Sequence, residues 1–446
     1  MKFLIIGGDA AGMSAASRAK RLNPSMTVTV LEQTHDVSYS ACNMPYNVAD
    51  PRRSMDDLVV RSADVFRNKQ GIDLRTGHRV VRINAKDHTV EVRTEDSQNL
   101  NLTYDYLMIA TGANPIMPDL PGFNQPGVMA LKRLADGRAL KRYVKENDVR
   151  HTVILGMGYI ALEMCEALHA RGVAVEMVKP RPDLLPWLVR DLAADIQREL
   201  EAHRIKLQME KAVQEIRRDG KRLCVMGPDF AIPTDMVLVA VGVQPNSELA
   251  ADAGLELGPS DAIAVNHCMQ TSDSAIYSGG DCADAFHVVS GQRVWIPLAL
   301  RANRSGWAVA DHICTRPVHL PGIVGTAVFK VFDQQVARTG LTMAEAVQAG
   351  FDPQSATITS ESRAGLYPGG FKIRVHMVGD KASGKLLGVQ MVGKESVAHR
   401  INAAAVALHS GLTVSEFVQC DLAYAPPFGG VWDPLLIAAN QLMKKL

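Results

Sequence analysis

The sequence predicts an α/β chain carrying two dinucleotide-binding folds and, after them, a smaller α+β segment. Three observations predict it. A glycine-rich turn set between a buried strand and a helix occurs twice, at 7–12 and at 156–161. Each turn is followed by a second apolar strand at the spacing of a strand–helix–strand unit. From about residue 321 the pattern changes to short β-like runs, Ala327 to Phe332, Lys372 to Met377 and Leu386 to Met391, alternating with helices. At 446 residues the chain is also too long for one ordinary core, since domains run to roughly 100–200 residues.

In the first fold, Phe3 to Ile6 is a short buried strand, Gly7-Gly8-Asp9-Ala10-Ala11-Gly12 the turn, Met13 to Arg21 a helix and Thr27 to Leu31 the next strand, which ends at Glu32. Glycines at such a turn let the backbone approach a pyrophosphate. The helix N-terminus supplies N–H donors, and a carboxylate at the strand end accepts from a ribose hydroxyl. Asp9 departs from the GxGxxG pattern by standing at its second glycine, and a plain strand–turn–helix connection is the alternative reading of this stretch taken alone.

The second fold repeats the form, with Thr152 to Leu155, Gly156-Met157-Gly158-Tyr159-Ile160-Ala161, a helix to about His169 and the strand Val173 to Val178. Two such folds imply two dinucleotides. Tyr106 to Gly112 and Met236 to Gly242 are buried strands ending in glycine turns, suited to crossings between domains. Thr271 to Asp281 delivers an aspartate beyond Gly279-Gly280; capping of the next helix is its other reading.

Composition excludes several classes. Forty-eight basic residues against forty-seven acidic ones leave a formal charge of +1 with no block of one sign, so nucleic acid is not expected as a partner. The N-terminal apolar run stops at Gly7, and no stretch approaches the roughly 20 apolar residues that cross a bilayer, so a soluble, cytoplasmic protein with no membrane association is expected. Seven cysteines, at 42, 165, 224, 268, 282, 314 and 420, contain no CxxC pair, which fits neither a disulfide framework nor a zinc site; no metal is expected. A redox role would fall to one thiol.

The Gly-Gly-Asp-Ala-Ala-Gly turn, Ala110-Thr111-Gly112, the run Gly156 to Glu163 and Tyr277-Ser278-Gly279-Gly280-Asp281 resemble, in this order and spacing, the FAD-dependent pyridine nucleotide-disulfide oxidoreductases over nearly the whole chain. The resemblance implies two Rossmann-like domains, a discontinuous FAD domain of about 1–114 plus 243–320 and an NAD(P)H domain of 115–242, with a C-terminal α+β dimerisation domain from 321 to 446. It implies FAD contacts at Gly7, Gly8, Ala11, Gly12, Glu32, Gln33, Thr111, Gly112, Asp281 and Ala299. NAD(P)H contacts are implied at Gly156, Gly158, Tyr159, Ile160, Glu163 and Gly242. Lys179 and Arg181, where an NAD-selective fold places an acid, point to NADPH over NADH.

Ten residues after Glu32 comes Ser38-Tyr39-Ser40-Ala41-Cys42-Asn43-Met44-Pro45-Tyr46. A reactive cysteine needs a lowered pKa, from a helix N-terminus or a nearby positive charge. Dithiol members carry two cysteines separated by four residues, whereas Val37 and Asn47 stand at those places. An inert packing cysteine is the other reading of Cys42 by itself. The string resembles the single-cysteine coenzyme A disulfide reductase branch, with Asn43 a departure where a small residue is usual. That resemblance carries over to Tyr367 and Tyr424, as hydrogen-bond or proton donors to a leaving thiolate in the other subunit of a homodimer. It also carries over to Arg18, Arg21, Ser38, Asn303 and Arg304 as contacts to coenzyme A, for which a solvated helix face is an equal reading.

The implied activity is NAD(P)H-dependent reduction of coenzyme A disulfide or a related small disulfide, through a mixed disulfide on Cys42. Reduction of CoA persulfide or polysulfide by the same centre is the alternative. An oxidase or peroxidase using a cysteine sulfenate ranks lower, because Ala10 stands where those relatives carry a histidine. A non-enzymatic flavin-binding redox sensor is the reading from another class, separable by steady NAD(P)H turnover.

Overall fold

A computed structural model describes all 446 residues. Along the first third run β1 (Lys2–Ile6), α1 (Ala10–Leu22), β2 (Thr27–Glu32), α2 (Met44–Ala49), β3 (Asp73–Thr76) and β4 (Tyr106–Ile109). Next come β5 (Val128–Met129), α3 (Leu134–Glu146), β6 (His151–Leu155), α4 (Tyr159–His169), β7 (Ala174–Val178), α5 (Arg190–Ala202), β8 (Lys206–Gln208) and β9 (Met236–Val239). The chain then returns through β10 (Ile276–Ser278) and α6 (Ala299–Ile313).

Two five-stranded parallel sheets result, in the orders β10-β4-β1-β2-β3 and β8-β7-β6-β9-β5. Their central strands are near-continuous apolar runs because both faces are covered; Phe3, Leu4, Ile5 and Ile6 are all buried, as are Thr152 to Leu155 in β6. Each fold carries a three-stranded antiparallel meander, at 78–103 in the first and 215–234 in the second. The two crossings between folds pair with each other, Ala113–Pro115 antiparallel to Val243–Pro245, and Thr111 and Asn246 exchange hydrogen bonds of 2.6 and 2.8 Å beside them.

The α1 face made of Ala11, Gly12, Ala15, Ala16 and Ala19 is small-residued and buried, which allows α6 to lie close against it. A side chain in place of Gly306 would put its Cβ 2.2 Å from the Ala11 carbonyl oxygen. The last third is an antiparallel sheet ordered β11 (Ala327–Val331), β12 (Gln334–Gly340), β15 (Leu386–Gly393), β14 (Lys372–Asp380), β13 (Pro353–Glu361). Against it pack α7 (Val397–His409) and α8 (Pro434–Met443), whose buried faces include Ile401, Ala404, Leu435 and Leu442. No helix is long and apolar enough to cross a membrane.

Candidate active site

The first glycine turn is held from two sides. Gly7 has φ +113°, and a Cβ there would lie 2.1 Å from the Ala110 carbonyl oxygen; one on Gly12 would lie 2.0 Å from the oxygen of Gly7. Only glycine fits either position. The Gly8 N–H donates to Glu32 Oε2 at 2.8 Å, while Glu32 Oε1 accepts from the N–H and hydroxyl of Thr34, each at 2.8 Å. The strand-end acid is thereby fixed over the turn, with the exposed Gln33 beside it. The N–H groups of Ala10, Ala11 and Gly12 make no hydrogen bond within the chain, so the start of α1 presents a cradle of donors. A pyrophosphate fits this cradle, and a ribose hydroxyl fits Glu32.

The aspartate of the third element closes the site from the opposite edge. Asp281 Oδ2 is paired with Lys132 Nζ at 2.8 Å, and its carbonyl oxygen accepts from Trp295 Nε1 at 2.8 Å. The buried Arg301, on α6, donates to the Gly280 and Asp284 carbonyls and fixes the turn that carries Asp281. Ala299 begins α6 and is exposed. Asp9 lies within this cluster, accepting from the Tyr39 N–H at 3.3 Å; burial, with Glu32 and Asp281 nearby, pushes its carboxyl up to about 6.

The cysteine turn is sewn to the glycine turn by the Ser38 N–H, which donates to the Gly8 carbonyl at 3.0 Å, with Ser38 itself at φ +48°. A single 3-10 turn at Ala41–Asn43 then leads into α2, with Pro45 in its first turn. Cys42 is exposed on this turn. Asn43, the departure from the usual small residue, folds its amide back onto Ser40 Oγ at 2.9 Å and braces the turn from outside. At the two places where a second thiol would stand, Val37 is core and Asn47 is fully buried, bonded to the Ser54 carbonyl and receiving Lys141.

The electrostatics run against the expected lowering of the thiol pKa. Desolvation pushes Cys42 up, Glu163, Asp281 and Asp9 add to the rise, and Lys132 alone opposes it. Three carboxylates outweigh one ammonium. The Tyr46 hydroxyl, one helical turn beyond the cysteine, donates to Glu163 Oε1 at 2.8 Å and so joins α2 to α4.

In the second fold Gly156 has φ +104°, and its Cβ would meet the Ala240 oxygen at 2.3 Å; Gly158 has open space around it and Gly242 has φ +138°. Tyr159 packs its ring against Trp187 and Phe329, while Ile160 is exposed. Of the two cations at the end of β7, Arg181 is exposed. Lys179 is buried, its ammonium bonded to the carbonyls of Asp183 and Leu184. Glu176 is buried facing His151 and Gln208.

The coenzyme A candidates divide as well. Arg18 is committed to Asp311 by two hydrogen bonds of 3.0 and 3.1 Å, and Asn303 spans α1 and α6 by accepting from Ser14 at 2.7 Å. Arg21 and Arg304 are exposed and form no ion pair. The segments that carry Tyr367 and Tyr424 meet in the last third, since the Ala364 N–H donates to the Pro426 carbonyl and the Tyr367 N–H to the Ala364 carbonyl. Both tyrosines are exposed, beside the exposed Leu366, Phe428, Val431 and Trp432, and neither is bonded to the Cys42 turn of its own chain. No group of His, Cys, Asp and Glu side chains is arranged to hold a metal ion.

The sequence reading missed Lys132, Arg138 and Lys141. Arg138 grips Asp36 and Asp56 on either side of the cysteine segment, and Lys141 accepts none but donates to the Asn47, Asp50 and Arg53 carbonyls. Only the basic face of α3 could have pointed to Arg138 and Lys141, and nothing local pointed to Lys132, which lies just before that helix.

Residues 1–306 match the family model described as pyridine nucleotide-disulphide oxidoreductase, and residues 326–434 that family's dimerisation domain. The chain is 38% identical over 441 residues to an NAD(P)H coenzyme A polysulfide/persulfide reductase of Pyrococcus horikoshii, covering 99% of this chain and 98% of that one. It is 27% identical over 429 residues to the coenzyme A disulfide reductase of Staphylococcus haemolyticus, covering 96% of each. The solved structure of an NAD-dependent persulfide reductase from A. fulgidus superposes with a TM-score of 0.96 at 34% identity, over 100% of this chain and 83% of that one.

Proposed function

The chain belongs to the pyridine nucleotide-disulphide oxidoreductases, flavoenzymes that use FAD and NAD(P)H, and from that premise we propose that it reduces a sulfur–sulfur bond of coenzyme A through Cys42 alone. Bound FAD supplies the two-electron relay from NAD(P)H to sulfur. The Gly7–Gly12 turn, Glu32 and Asp281 hold it in the first fold, and the Gly156–Glu163 turn with Arg181 receives the nicotinamide nucleotide. Cys42 as the sole sulfur is the observation that carries this reading: both flanking places for a second thiol are filled by buried, non-thiol side chains.

As thiolate, Cys42 attacks the sulfur that bears coenzyme A and forms a Cys42–CoA mixed disulfide. From CoA disulfide the leaving group is a CoA thiolate; from CoA persulfide it is hydrosulfide. Two electrons and a proton then return Cys42 to thiolate and release CoA thiol. Both substrates thus converge on one intermediate. The persulfide reading is favoured by two relatives named for persulfide or polysulfide, one 38% identical with 98% of its length covered and one 34% identical with 83% covered. Arg21 and Arg304 are free to meet the phosphates of coenzyme A, whereas Arg18 is already occupied by Asp311.

We further propose a homodimer in which Tyr424 and Tyr367 of one subunit stand beside Cys42 of the other and hydrogen-bond the departing sulfur. The exposed apolar surface around both tyrosines supports it, together with the dimerisation-domain match.

The test is Cys42→Ser, expected to keep FAD bound while disulfide and persulfide turnover both vanish; turnover above a few per cent of wild type sinks the assignment. In the wild-type enzyme, sulfide and CoA released per NAD(P)H consumed separate the substrates. One sulfide with one CoA identifies the persulfide, and two CoA with no sulfide the disulfide.

A further inference from the structure

Cys42 and Tyr46 lie four residues apart, one on the 3-10 turn and the other on the short helix α2, and the phenol reaches across to the second fold. Its partner, Glu163, is in the second turn of α4, which springs from the glycine turn of the second fold. Glu163 is half-buried, and the next carboxylate on the same helix, Glu166, is occupied by Lys330 and the Phe332 N–H. The Tyr46–Glu163 bond of 2.8 Å is therefore a direct tie between the sulfur-bearing turn and the nicotinamide-side fold.

Resting on the reading of Cys42 as the redox sulfur, we propose that Tyr46 and Glu163 are a positioning pair: the phenol holds a carboxylate beside Cys42, and that carboxylate opposes negative charge on the sulfur. Neither residue touches the bond being broken. The charged groups that face Cys42 are Glu163 from α4, Asp9 from the first glycine turn, Asp281 from the turn after β10, and Lys132 from the segment before α3. Glu163 is the foremost charge among them, acting in the same direction as burial. Its own carboxyl is pushed up by burial and by Glu166, and pulled down by the Tyr46 hydrogen bond. The phenol thus opposes part of the rise that burial imposes on the carboxyl. Because α4 begins at the nucleotide turn, the pair makes the reactivity of the sulfur sensitive to what fills the second fold, and by linkage makes nucleotide affinity sensitive to charge on the sulfur.

The measurement is the pH dependence of Cys42 alkylation by iodoacetamide, read by mass on the Cys42 peptide of the FAD-loaded enzyme, so the other six cysteines and catalytic turnover do not enter. Glu163→Gln keeps an acceptor for Tyr46 and removes the charge. Its midpoint is expected to fall by about one unit, giving roughly tenfold more thiolate at pH 7; the weaker nucleophile offsets part of this, leaving about threefold faster alkylation. Glu163→Asp retains the charge and should return the midpoint towards wild type, which a purely structural role would not do. In Tyr46→Phe the midpoint should move part of the way towards that of Glu163→Gln, because the released carboxyl takes up a proton more readily. Saturating NAD+ should shift the wild-type midpoint and leave that of Glu163→Gln unmoved. Flavin absorbance and circular dichroism report whether each variant is folded. Superimposable Glu163→Gln and wild-type profiles would overturn the proposal, as would a Glu163→Asp profile that follows Glu163→Gln. Failure here leaves Cys42→Ser turnover untouched, so the two readings fail separately.

Discussion

The two dinucleotide folds begin alike and end differently. Both open with a glycine at positive φ, +113° at Gly7 and +104° at Gly156, and at both a Cβ would run into a carbonyl oxygen of the neighbouring crossover, Ala110 or Ala240. Beyond that first residue they part. The first fold needs a second glycine, Gly12, pressed against Gly7, and its strand-end Glu32 is folded over the turn by bonds to Gly8 and Thr34. In the second, Ala161 occupies the matching place, Gly158 is unconfined, and the strand-end Lys179 turns away into its own loop. The difference separates two tasks. Under the proposed assignment, a permanently bound FAD would be enclosed by a turn with no slack, whereas a nucleotide that comes and goes would meet an open turn and exposed charge.

Five substitutions bear on that contrast. Gly7→Ala should have the largest effect, because both the positive φ and a carbonyl 2.1 Å away forbid the methyl; the purified protein is expected to carry no flavin absorbance, and normal FAD content would break the comparison. Tyr424→Phe should slow release of the product thiol about 100-fold while stopped-flow reduction of the flavin by NADPH stays at the wild-type rate, which divides the chemistry of the first fold from that of the second. Equal slowing of both steps would show that the tyrosine has no selective part in sulfur release. Arg181→Ala should lower kcat/KM for NADPH about tenfold with NADH little changed, and Lys179→Ala should do less, since its ammonium already serves the loop. An enzyme that prefers NADH tenfold to begin with would remove the basis for that pair. Gly158→Ala should be the mildest, with thermal stability within about 0.5 kcal/mol of wild type, because nothing lies within 4 Å of the added methyl.

The α/β class, both strand–turn–helix units and the change of character in the last third were legible from periodicity and glycines, because each is encoded within about thirty contiguous residues. The helix predicted from Met13 begins at Ala10, so the third glycine of the turn is already helical. What the sequence could not offer were partners brought together from afar. Lys132 and Asp281 meet from different domains, Arg138 reaches Asp36 and Asp56, and Tyr46 finds Glu163. Likewise Lys179 and Arg181 look equivalent as text. Burial makes one a loop fastener and leaves the other in solvent, and only packing decides which. A lowered thiol pKa was expected because a reactive cysteine needs one, yet the acids that raise it come from three separate segments.

The order of strands in the first sheet sets a timetable for making the protein. β1, β2, β3 and β4 all lie within the first 109 residues, but the edge strand β10, with the aspartate and the helix α6 that clasp the site, belongs to residues 276–313. At about 5–20 residues per second, synthesis separates β4 from β10 by roughly 10 to 30 seconds. The second sheet, β5 to β9, is contiguous and emerges whole during that wait. The nascent chain therefore holds an unfinished first sheet while a complete second fold condenses beside it, and under the proposed assignment FAD could be clasped only after residue 313 has been made.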